Sequence, residues 1–317
     1  MKPLKTSNEL LPALAGSSSS FKASVADFFL CALANKHTQK AYANDLRILN
    51  EHLQDLYGIT LEDAAPIHLG AFRKHLEDSG YSPAGIQRKI ATIRAFYGHL
   101  ASSGVIPFSP AANLKAPRLV RDQGATPIFN GKADVESFIN SFDEPGLLNL
   151  RNRALFSVLF FSMARISAVC NLNFEDISQL PSHTVLTFRE KRGRVREIPL
   201  NSYAADILFE YLRLAGITEG PVFRSGITKG SDELSDRRMT RHTVHYLLKA
   251  RLKKLKLNKS ISSHSFRGSA CTFYCEQPGA TLENASKILG HRSINTTKLY
   301  DRRKNSIPLL EVERLSF

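Results

Sequence analysis

The sequence predicts a mainly α-helical protein with two domains, the second of which adds a small antiparallel sheet to its helices. Apolar residues recur every three or four positions from about residue 25 to residue 100, the period of an amphipathic helix. Apolar and polar residues alternate over 184–199 on both sides of a charged turn that contains glycine, as in a β-hairpin. Prolines concentrate in 104–127, which indicates an extended linker between the two regions.

These patterns divide the chain into four segments. The polar, serine-rich residues 1–22 are predicted to form a disordered arm. Residues 23–103 are predicted to form an all-helical domain, residues 104–128 a linker, and residues 129–317 an α+β domain. With 317 residues, of which 43% are hydrophobic, the chain is long enough for two ordinary cores.

The composition favours a polyanionic partner. The 43 Lys and Arg residues outnumber the 29 Asp and Glu residues and give a formal net charge of +14, which attracts nucleic acid or an acidic membrane surface. No apolar run reaches the length of a membrane span and the N-terminus lacks an apolar signal core, so we expect a cytoplasmic protein with no membrane partner. The four cysteines lack metal-site spacing, and neither a phosphate-binding loop nor an HExxH motif occurs, so no metal or other cofactor is expected.

The first domain is predicted to end with a helix that has one basic face. Ser82 and Pro83 open this helix, which runs over 84–100, and an earlier helix covers 67–76. Such a face is usually only solvated. In a chain this basic, a helix that contacts a nucleic-acid groove is the functional alternative. The candidate DNA contacts on it are Arg88, Lys89 and Arg94.

The second domain is predicted to begin with helices over 133–142 and 147–169. Arg165 lies near the end of the second helix, in the apolar run FFSMARISAVC. Burial of a guanidinium without compensation is costly. Two interpretations stay open: Arg165 pairs with a carboxylate such as Glu175 or Asp176, or it is held rigidly to meet a phosphate.

A hairpin, a helix, a loop and a basic helix are predicted to follow. Their predicted bounds are 184–189 and 194–199 for the strands, 201–215 for the helix, 226–236 for a flexible loop and 237–259 for the basic helix. Apolar residues such as Val244 and Leu248 form one stripe of the basic helix, so its Lys and Arg side chains face outward. These charges are either solvated or in contact with phosphate, and Arg241 is the best single candidate for contact.

The C-terminal region carries a cluster of residues suited to chemistry at a phosphodiester. Ser262 or Ser263 can cap a helix that places His264 and Arg267 on one face. Thr281 can cap a second helix over 282–289, which Gly290 would end just before His291, and Tyr300 follows on a third short helix. Arginine holds two phosphate oxygens in a planar fork, histidines donate to the same centre, and a tyrosine hydroxyl can attack it.

This cluster resembles the C-terminal signature of the tyrosine recombinase (phage integrase) superfamily, which reads His-x-x-Arg, then Gly-His, then the nucleophilic tyrosine. His264, Arg267, His291 and Tyr300 each fall on a position of that signature. Upstream, the segment HTQKAYANDLRILNEHL and the helix after Ser82 resemble the helical core-binding domain that precedes the catalytic domain in the family. The separate arm-binding domain of some phage integrases is not expected.

The resemblance extends to two residues between these regions. Arg165 matches the family's first catalytic arginine, although Met163 and Ala168 replace the glycine and the acidic residue that normally flank it. Lys191 takes the position of the family's catalytic lysine at a hairpin tip, with Arg192 and Arg194 as competing choices. A lysine there can protonate a departing deoxyribose oxygen, which a permanently charged guanidinium cannot.

The resemblance implies a site-specific DNA recombinase or integrase that cleaves and rejoins DNA through a 3′-phosphotyrosine. Tyr300 would attack, Arg165 and Arg267 would stabilise the pentacoordinate phosphate, and His264 and His291 would add hydrogen bonds. The implied partners are double-stranded DNA attachment sites and three further copies of the chain, in a homotetramer on DNA that is weakly associated or monomeric without it. The implied location is the nucleoid.

Two other functions stay open. A type IB topoisomerase-like enzyme would use the same chemistry to relax supercoils as a monomer. A catalytically inactive DNA-binding regulator on the same fold would bind DNA without forming an adduct, and the departures at Met163 and Ala168 favour it. The sequence leaves open whether a recombinase of this kind integrates, excises or resolves dimers.

Overall fold

The computed structural model describes residues 17–33, 35–118, 126–189, 195–228, 231–291 and 293–301. The chain divides into two compact units, residues 1–120 and 121–317. Within the described ranges, no helix is both long enough and apolar enough to cross a bilayer.

Within its described residues, the regular secondary structure of the first unit consists of helices. Its helices are α1 Ser19–Asp27, which continues as a π-helical turn Phe28–Ala32, then α2 Lys36–Tyr57, α3 Pro66–Asp78 and α4 Pro83–Ser102. The Ser82 side chain accepts the N–H of Gly85 and Pro83 occupies the first turn, so the predicted start of α4 is confirmed. The predicted apolar faces form one core, which includes Leu46, Leu49, Ile90 and Ile93.

The predicted disordered arm is too long at its C-terminal end. Ser18 caps α1 by accepting the N–H of Phe21, and the Phe21 ring is fully buried in an edge-to-face contact with Phe96. This burial makes helix the favourable state for residues that the polar composition of the segment assigned to the arm. Residues 1–16 of the predicted arm lie outside the described residues.

The second unit combines helices with two small antiparallel sheets. A three-stranded sheet has the order β1-β2-β3, and β4 and β5 pair as a separate two-stranded sheet. The elements are α5 Lys132–Asn140, α6 Leu147–Phe161, α7 Ile166–Cys170, β1 Ile177–Gln179, β2 Thr184–Arg189, β3 Val195–Leu200, α8 Ser202–Leu214, β4 Arg224–Gly226, β5 Leu234–Arg238, α9 Arg241–Lys254, α10 Ser263–Cys275, α11 Leu282–Leu289 and α12 Ile294–Lys298. This arrangement confirms the predicted class, a mainly α protein with a small antiparallel component.

Packed phenylalanine rings anchor α10 in the core of the second unit. The ring of Phe266 stacks on Phe156 with a centroid distance of 5.4 Å and meets Phe138 edge-on at the same distance. Aromatic pairs at these separations contribute beyond their buried area. Because Phe266 lies between His264 and Arg267 in the sequence, this packing sets the depth and rotation of the helix that carries both residues.

The predicted helix over 147–169 is two helices in the structure. Helix α6 ends at Phe161, and α7 begins only at Ile166. Between them Met163 has a φ of 48°, in the left-handed region that a helix cannot continue through. The apolar run continues across this break, so hydrophobic periodicity alone could not locate it.

Of the predicted flexible loop over 226–236, Gly226 belongs to β4 and residues 234–236 belong to β5, and the other described residues lie between the two strands. The Asp232 carboxylate, between the two strands, accepts the N–H groups of Leu147 and Leu148 at 2.6 and 2.8 Å. These N–H groups have no acceptor within α6 because they lie in its first turn, where the helix dipole also favours a negative charge. The order of this segment therefore depends on a residue more than eighty positions away in the sequence, which local composition does not reveal.

Candidate active site

Three helix termini of the second unit converge on one pocket of polar side chains. Ser262 caps α10 by accepting the N–H of His264, which confirms one of the two predicted caps. Thr281 caps α11 by accepting the N–H of Asn284, and Gly290 ends that helix with a φ of 66°. The turn at Gly290 brings the next residue, His291, back against α10.

Arg267 is the buried centre of this pocket. Its side chain is 1% exposed and donates to the carbonyl oxygens of Met163 and Leu289. The same guanidinium lies 2.9 Å from Nε2 of His291. Three acceptors from two separate segments, Met163 and the turn 289–291, therefore hold one side chain, so its orientation is set before any ligand arrives.

The partners of His291 determine its tautomer. Arginine only donates, so Nε2 of His291 accepts from Arg267 and the proton lies on Nδ1, which donates to Oγ1 of Thr297 at 2.9 Å. Burial lowers the pKa of His291 to about 4, and the charges of Arg267, Arg165, Arg196 and His264 act in the same direction. His291 is therefore neutral at pH 7, as the hydrogen bond from Arg267 requires.

Tyr300 lies against His264 just beyond the end of α12. The phenol oxygen is 2.9 Å from Nε2 of His264, and the backbone carbonyl of Tyr300 accepts from Oγ1 of Thr272 at 2.8 Å. Burial and the charges of Arg267 and Arg165 lower the pKa of His264, so its neutral ring can accept the phenol proton. His264 is exposed and Tyr300 half-buried, so a DNA-sized ligand can reach the hydroxyl.

Arg165 lies at the N-cap of α7 with its side chain exposed. Its charge lowers the pKa values of His264, Arg267 and His291, which places it beside all three. The two carboxylates considered as its partners are engaged elsewhere, since Glu175 accepts the N–H of Gly220 and Asp176 accepts that of Asn173. The break at Met163 turns the chain so that Arg165 faces this cluster instead of continuing α6.

The pocket is strongly cationic. Burial and the nearby Arg165 lower the pKa of Arg267 to about 10, so the guanidinium is still charged at pH 7. Among the residues that the structure describes, no carboxylate lies within ion-pair distance of Arg267. Nor does any cluster of His, Cys, Asp or Glu side chains within those ranges suit a metal ion. The arrangement is suited to receive an anion.

Lys191, the predicted hairpin-tip residue, lies outside the described residues, as do its competitors Arg192 and Arg194. The two strands that lead to this tip, β2 and β3, are described and pair antiparallel from Thr184↔Leu200 to Arg189↔Val195.

The three basic residues predicted to line one outward face of α4 all have partners within the first unit. Lys89 is 3% exposed and its ammonium pairs with the buried Asp45 carboxylate at 2.9 Å, so it points inward. Arg88 pairs with the same carboxylate but stays half exposed, and Arg94 donates to the carbonyl of Leu114. Helical spacing did not distinguish these positions because long basic side chains can reach inward to a buried acid. Arg241, at the start of α9, is exposed as expected.

Arg196 is a site residue that the sequence reasoning did not identify. It is 7% exposed on β3, donates to the carbonyl of Ile288 at the end of α11, and adds positive charge beside Arg267 and His291. A signal was present, because strand alternation puts Arg196 on the same buried face as Ile198 and Leu200. An arginine on the inward face of a strand requires a partner that the strand itself does not supply.

Comparison with known proteins agrees with this geometry. Residues 131–306 match the model of the phage integrase family, and residues 30–104 match that of the phage integrase N-terminal SAM-like domain. The chain is 26% identical over 275 residues to tyrosine recombinase XerC of Roseiflexus sp. (strain RS-1), covering 83% of this chain and 82% of that protein. It is 28% identical over 272 residues to tyrosine recombinase XerD of Listeria monocytogenes serotype 4b (strain F2365), covering 83% and 87%.

Solved structures share the fold at lower identity. The XerH site-specific recombinase bound to a palindromic difH substrate in a post-cleavage complex has a TM-score of 0.70 and 18% identity, over 99% of this chain and 90% of that one. A λ integrase dimer bound to a COC′ core site has a TM-score of 0.68 and 16% identity, over 89% and 76%. At these identities the likeness establishes the fold alone.

Proposed function

The chain belongs to the phage integrase family and is a site-specific tyrosine recombinase that acts on double-stranded DNA, and from this premise we propose how its residues divide the chemistry. Tyr300 attacks a scissile phosphodiester, which forms a 3′-phosphotyrosyl bond and releases a 5′-hydroxyl. The bond energy is kept in the covalent intermediate, so the rejoining step needs no nucleotide cofactor.

The observation that carries this proposal is the contact between Tyr300 and His264. A phenol 2.9 Å from a neutral imidazole can pass its proton to that base as the oxygen attacks. The nearby Arg267 is held by backbone carbonyls and has no carboxylate partner among the described residues, so a phosphate can supply its counter-charge. Nucleophile, base and anion-stabilising group thus occur in one pocket.

The remaining groups complete the same transition state. Arg165 and Arg267 stabilise the charge that develops on the pentacoordinate phosphate, each contributing on the order of 3 kcal/mol. His291 holds Arg267 in position through the hydrogen bond that its Nε2 accepts from the guanidinium. Lys191 is the general acid toward the departing 5′ oxygen, supported by its place between β2 and β3.

We propose that both units contact DNA. The first unit, residues 23–103 with the linker 104–128, acts as the core-binding domain, and residues 129–317 form the catalytic domain. Arg88, Arg94 and Arg241 are the candidate phosphate contacts supported by exposure, whereas the inward position of Lys89 argues against that residue. The enzyme works at the nucleoid in the cytoplasm, where its substrate lies.

We further propose that four copies assemble on DNA and associate weakly or not at all without it. Strand exchange between two duplexes requires two cuts in each, hence four active sites. A mainly apolar groove of about 950 Å³ in the second unit, lined by residues such as Phe160, Phe273 and Ile288, supports contact between copies. The apolar C-terminal sequence IPLLEVERLSF is a suitable occupant of that groove in a neighbouring copy.

The test begins with selection of a binding site from a randomised duplex pool by the wild-type protein. A nicked form of the selected duplex traps any covalent complex, which a denaturing gel resolves. We expect an adduct with wild type and none with Tyr300→Phe, while both bind the duplex equally. Tyr42→Phe, a half-buried tyrosine of the first unit, is the matched control and should form the adduct normally.

Binding without an adduct would refute the catalytic proposal and favour an inactive regulator. Relaxation of a plasmid that lacks the selected site, by monomeric protein, would instead favour a topoisomerase-like activity.

A further inference from the structure

We propose that Arg196 is a positioning residue that couples the β2–β3 hairpin to His291. The inference rests on the proposed role of His291, which holds Arg267 for catalysis, and extends it to a residue on β3.

Arg196 contacts the neighbouring strand of the hairpin through both its backbone and its side chain. Arg196 pairs in register with Phe188 on β2, and its guanidinium lies over the Phe188 ring at 5.5 Å from the centroid. Both residues are buried, so the cation–π contact is shielded from water and correspondingly stronger. Movement of the hairpin therefore moves the guanidinium with it.

The other end of Arg196 reaches the C-terminus of α11. Its Nη1 donates to the carbonyl of Ile288, while Arg267 donates to the carbonyl of the next residue, Leu289. The last carbonyls of a helix have no partner within the helix and carry its negative dipole end, which cations stabilise. Two arginines from different elements thus hold consecutive carbonyls immediately before Gly290 and His291.

Gly290 shows how closely Arg196 packs on this turn. A Cβ atom added to Gly290 would lie 2.9 Å from Cδ and 3.1 Å from Nε of Arg196, and the glycine φ of 66° is in the left-handed region. Glycine is therefore required both by the backbone angle and by the arginine that lies against it. This contact leaves the turn no room to shift toward β3 without displacing Arg196.

The consequence is a mechanical link between two parts of the active site. Arg196 contacts both the strands of the hairpin and the α11 turn, so it keeps the two in register and thereby holds His291 where it accepts from Arg267. The charge of Arg196 also contributes to lowering the pKa of His291, which keeps that ring neutral and able to accept from Arg267.

The first measurement is a titration of the full-length protein labelled on histidine with ¹³C and ¹⁵N. The His291 resonance is assigned by its loss in His291→Gln. In Arg196→Met and Arg196→Gln we expect the pKa of His291 to rise from about 4 toward the ordinary histidine range, because a cation is removed and the turn loosens. Arg196→Lys should restore much of the lowering, and Arg213→Met, on the exposed end of α8, should leave it unchanged.

The second measurement is the rate of covalent adduct formation at saturating nicked duplex. A misplaced catalytic turn slows the chemical step, so we expect Arg196→Met and Arg196→Gln to be roughly 10- to 100-fold slower with DNA affinity within about twofold. Arg196→Lys should recover part of the rate. If Arg196 served only to stabilise the fold, all three variants would react at the wild-type rate as long as they remained folded.

A His291 pKa and an adduct rate that both match wild type in Arg196→Met or Arg196→Gln would overturn the inference while the proposed function stands. If wild type itself forms no adduct, the proposed catalysis fails, and the histidine titration alone decides whether Arg196 positions His291. Should Arg196→Met not fold, the Arg196→Gln and Arg196→Lys pair carries the same comparison.

Discussion

The two units both bury a basic side chain, and they compensate its charge in opposite ways. In the first unit Lys89 pairs with the fully buried Asp45, whose carboxylate also accepts from Arg88 and from the Thr92 hydroxyl at 3.0 Å. In the second unit Arg267 is equally buried, but neutral acceptors surround it: two backbone carbonyls and one imidazole.

The difference separates a structural charge from a functional one. The buried charges of Lys89 and Asp45 neutralise each other, and the second cation, Arg88, is half exposed to solvent. Arg267 is oriented by dipoles that cannot neutralise it, so its charge remains available to a ligand. Burial alone therefore does not identify a catalytic cation; in Arg267 burial coincides with neutral acceptors and with the neighbouring His291.

The largest predicted effect is on the rate of the Arg267→Met variant. Its adduct formation should fall by on the order of 10³-fold, because the developing phosphate charge loses a preorganised donor. Its free energy of unfolding should change by less than about 2 kcal/mol, since the cost of two unpaired carbonyls is offset by removal of a buried cation. Single-turnover kinetics and urea unfolding check both; an adduct rate near wild type would remove Arg267 from the active site.

Lys89→Met should show the reverse pattern. The variant leaves Asp45 buried with only Arg88 and Thr92 as partners, so the free energy of unfolding should fall by about 3 kcal/mol. DNA affinity and adduct rate of the folded protein should stay near wild type. Lys74→Met is the matched control, because Lys74 is an exposed partner of Asp78 and such pairs contribute little. A large loss of DNA affinity in Lys89→Met would restore the phosphate contact predicted from the sequence.

Two glycines that end helices, one in each unit, allow the contribution of a single packing contact to be measured. Gly58 and Gly290 end α2 and α11 with φ values of 63° and 66°, but an added Cβ meets nothing within 4 Å at Gly58. Gly58→Ala should therefore cost only the left-handed penalty of about 1 kcal/mol. Gly290→Ala should cost about 2–3 kcal/mol because the new methyl group also displaces Arg196.

A double-mutant cycle separates the two contributions at Gly290. In the Arg196→Ala background, which lacks the atoms that the new methyl group meets, the cost of Gly290→Ala should approach that of Gly58→Ala, as measured by chemical unfolding. Equal costs for the two glycines in the wild-type background would contradict the packing described for Arg196.

The last prediction is a pH dependence of stability that arises from the histidines of the candidate active site. The pKa of His291 is about 4 in the folded protein against 6.5 in an ordinary chain, so between these values the unfolded state binds more protons. The free energy of unfolding should then fall as the pH decreases from 6.5 to 4 and stay level above that window, with His264 adding to the effect. The melting temperature should change less with pH between 4 and 6.5 in His291→Gln than in the exposed control His245→Gln. An equal dependence on pH in the two variants would contradict the assignment.

Much of the fold and of the candidate site could be predicted from local sequence. Ser82, Thr281 and Gly290 act as helix signals within one turn of their own position, and their predicted roles are confirmed. The signature positions His264, Arg267, His291 and Tyr300 come together in one pocket as the family resemblance implied. Local signals sufficed here because caps and periodicity act between residues only a few positions apart.

The sequence by itself determined the helical class, several of the helix ends and the identity of the candidate catalytic side chains. Only the tertiary structure decided which charges are neutralised, since Lys89 and Asp45 are 44 positions apart and Arg267 and Met163 are 104 apart. It alone also revealed the break at Met163, the cap from Asp232 and the link through Arg196. The physical reason is that a buried charge takes its partner from whatever the packed core brings within hydrogen-bond distance, and that distance is unrelated to separation along the chain.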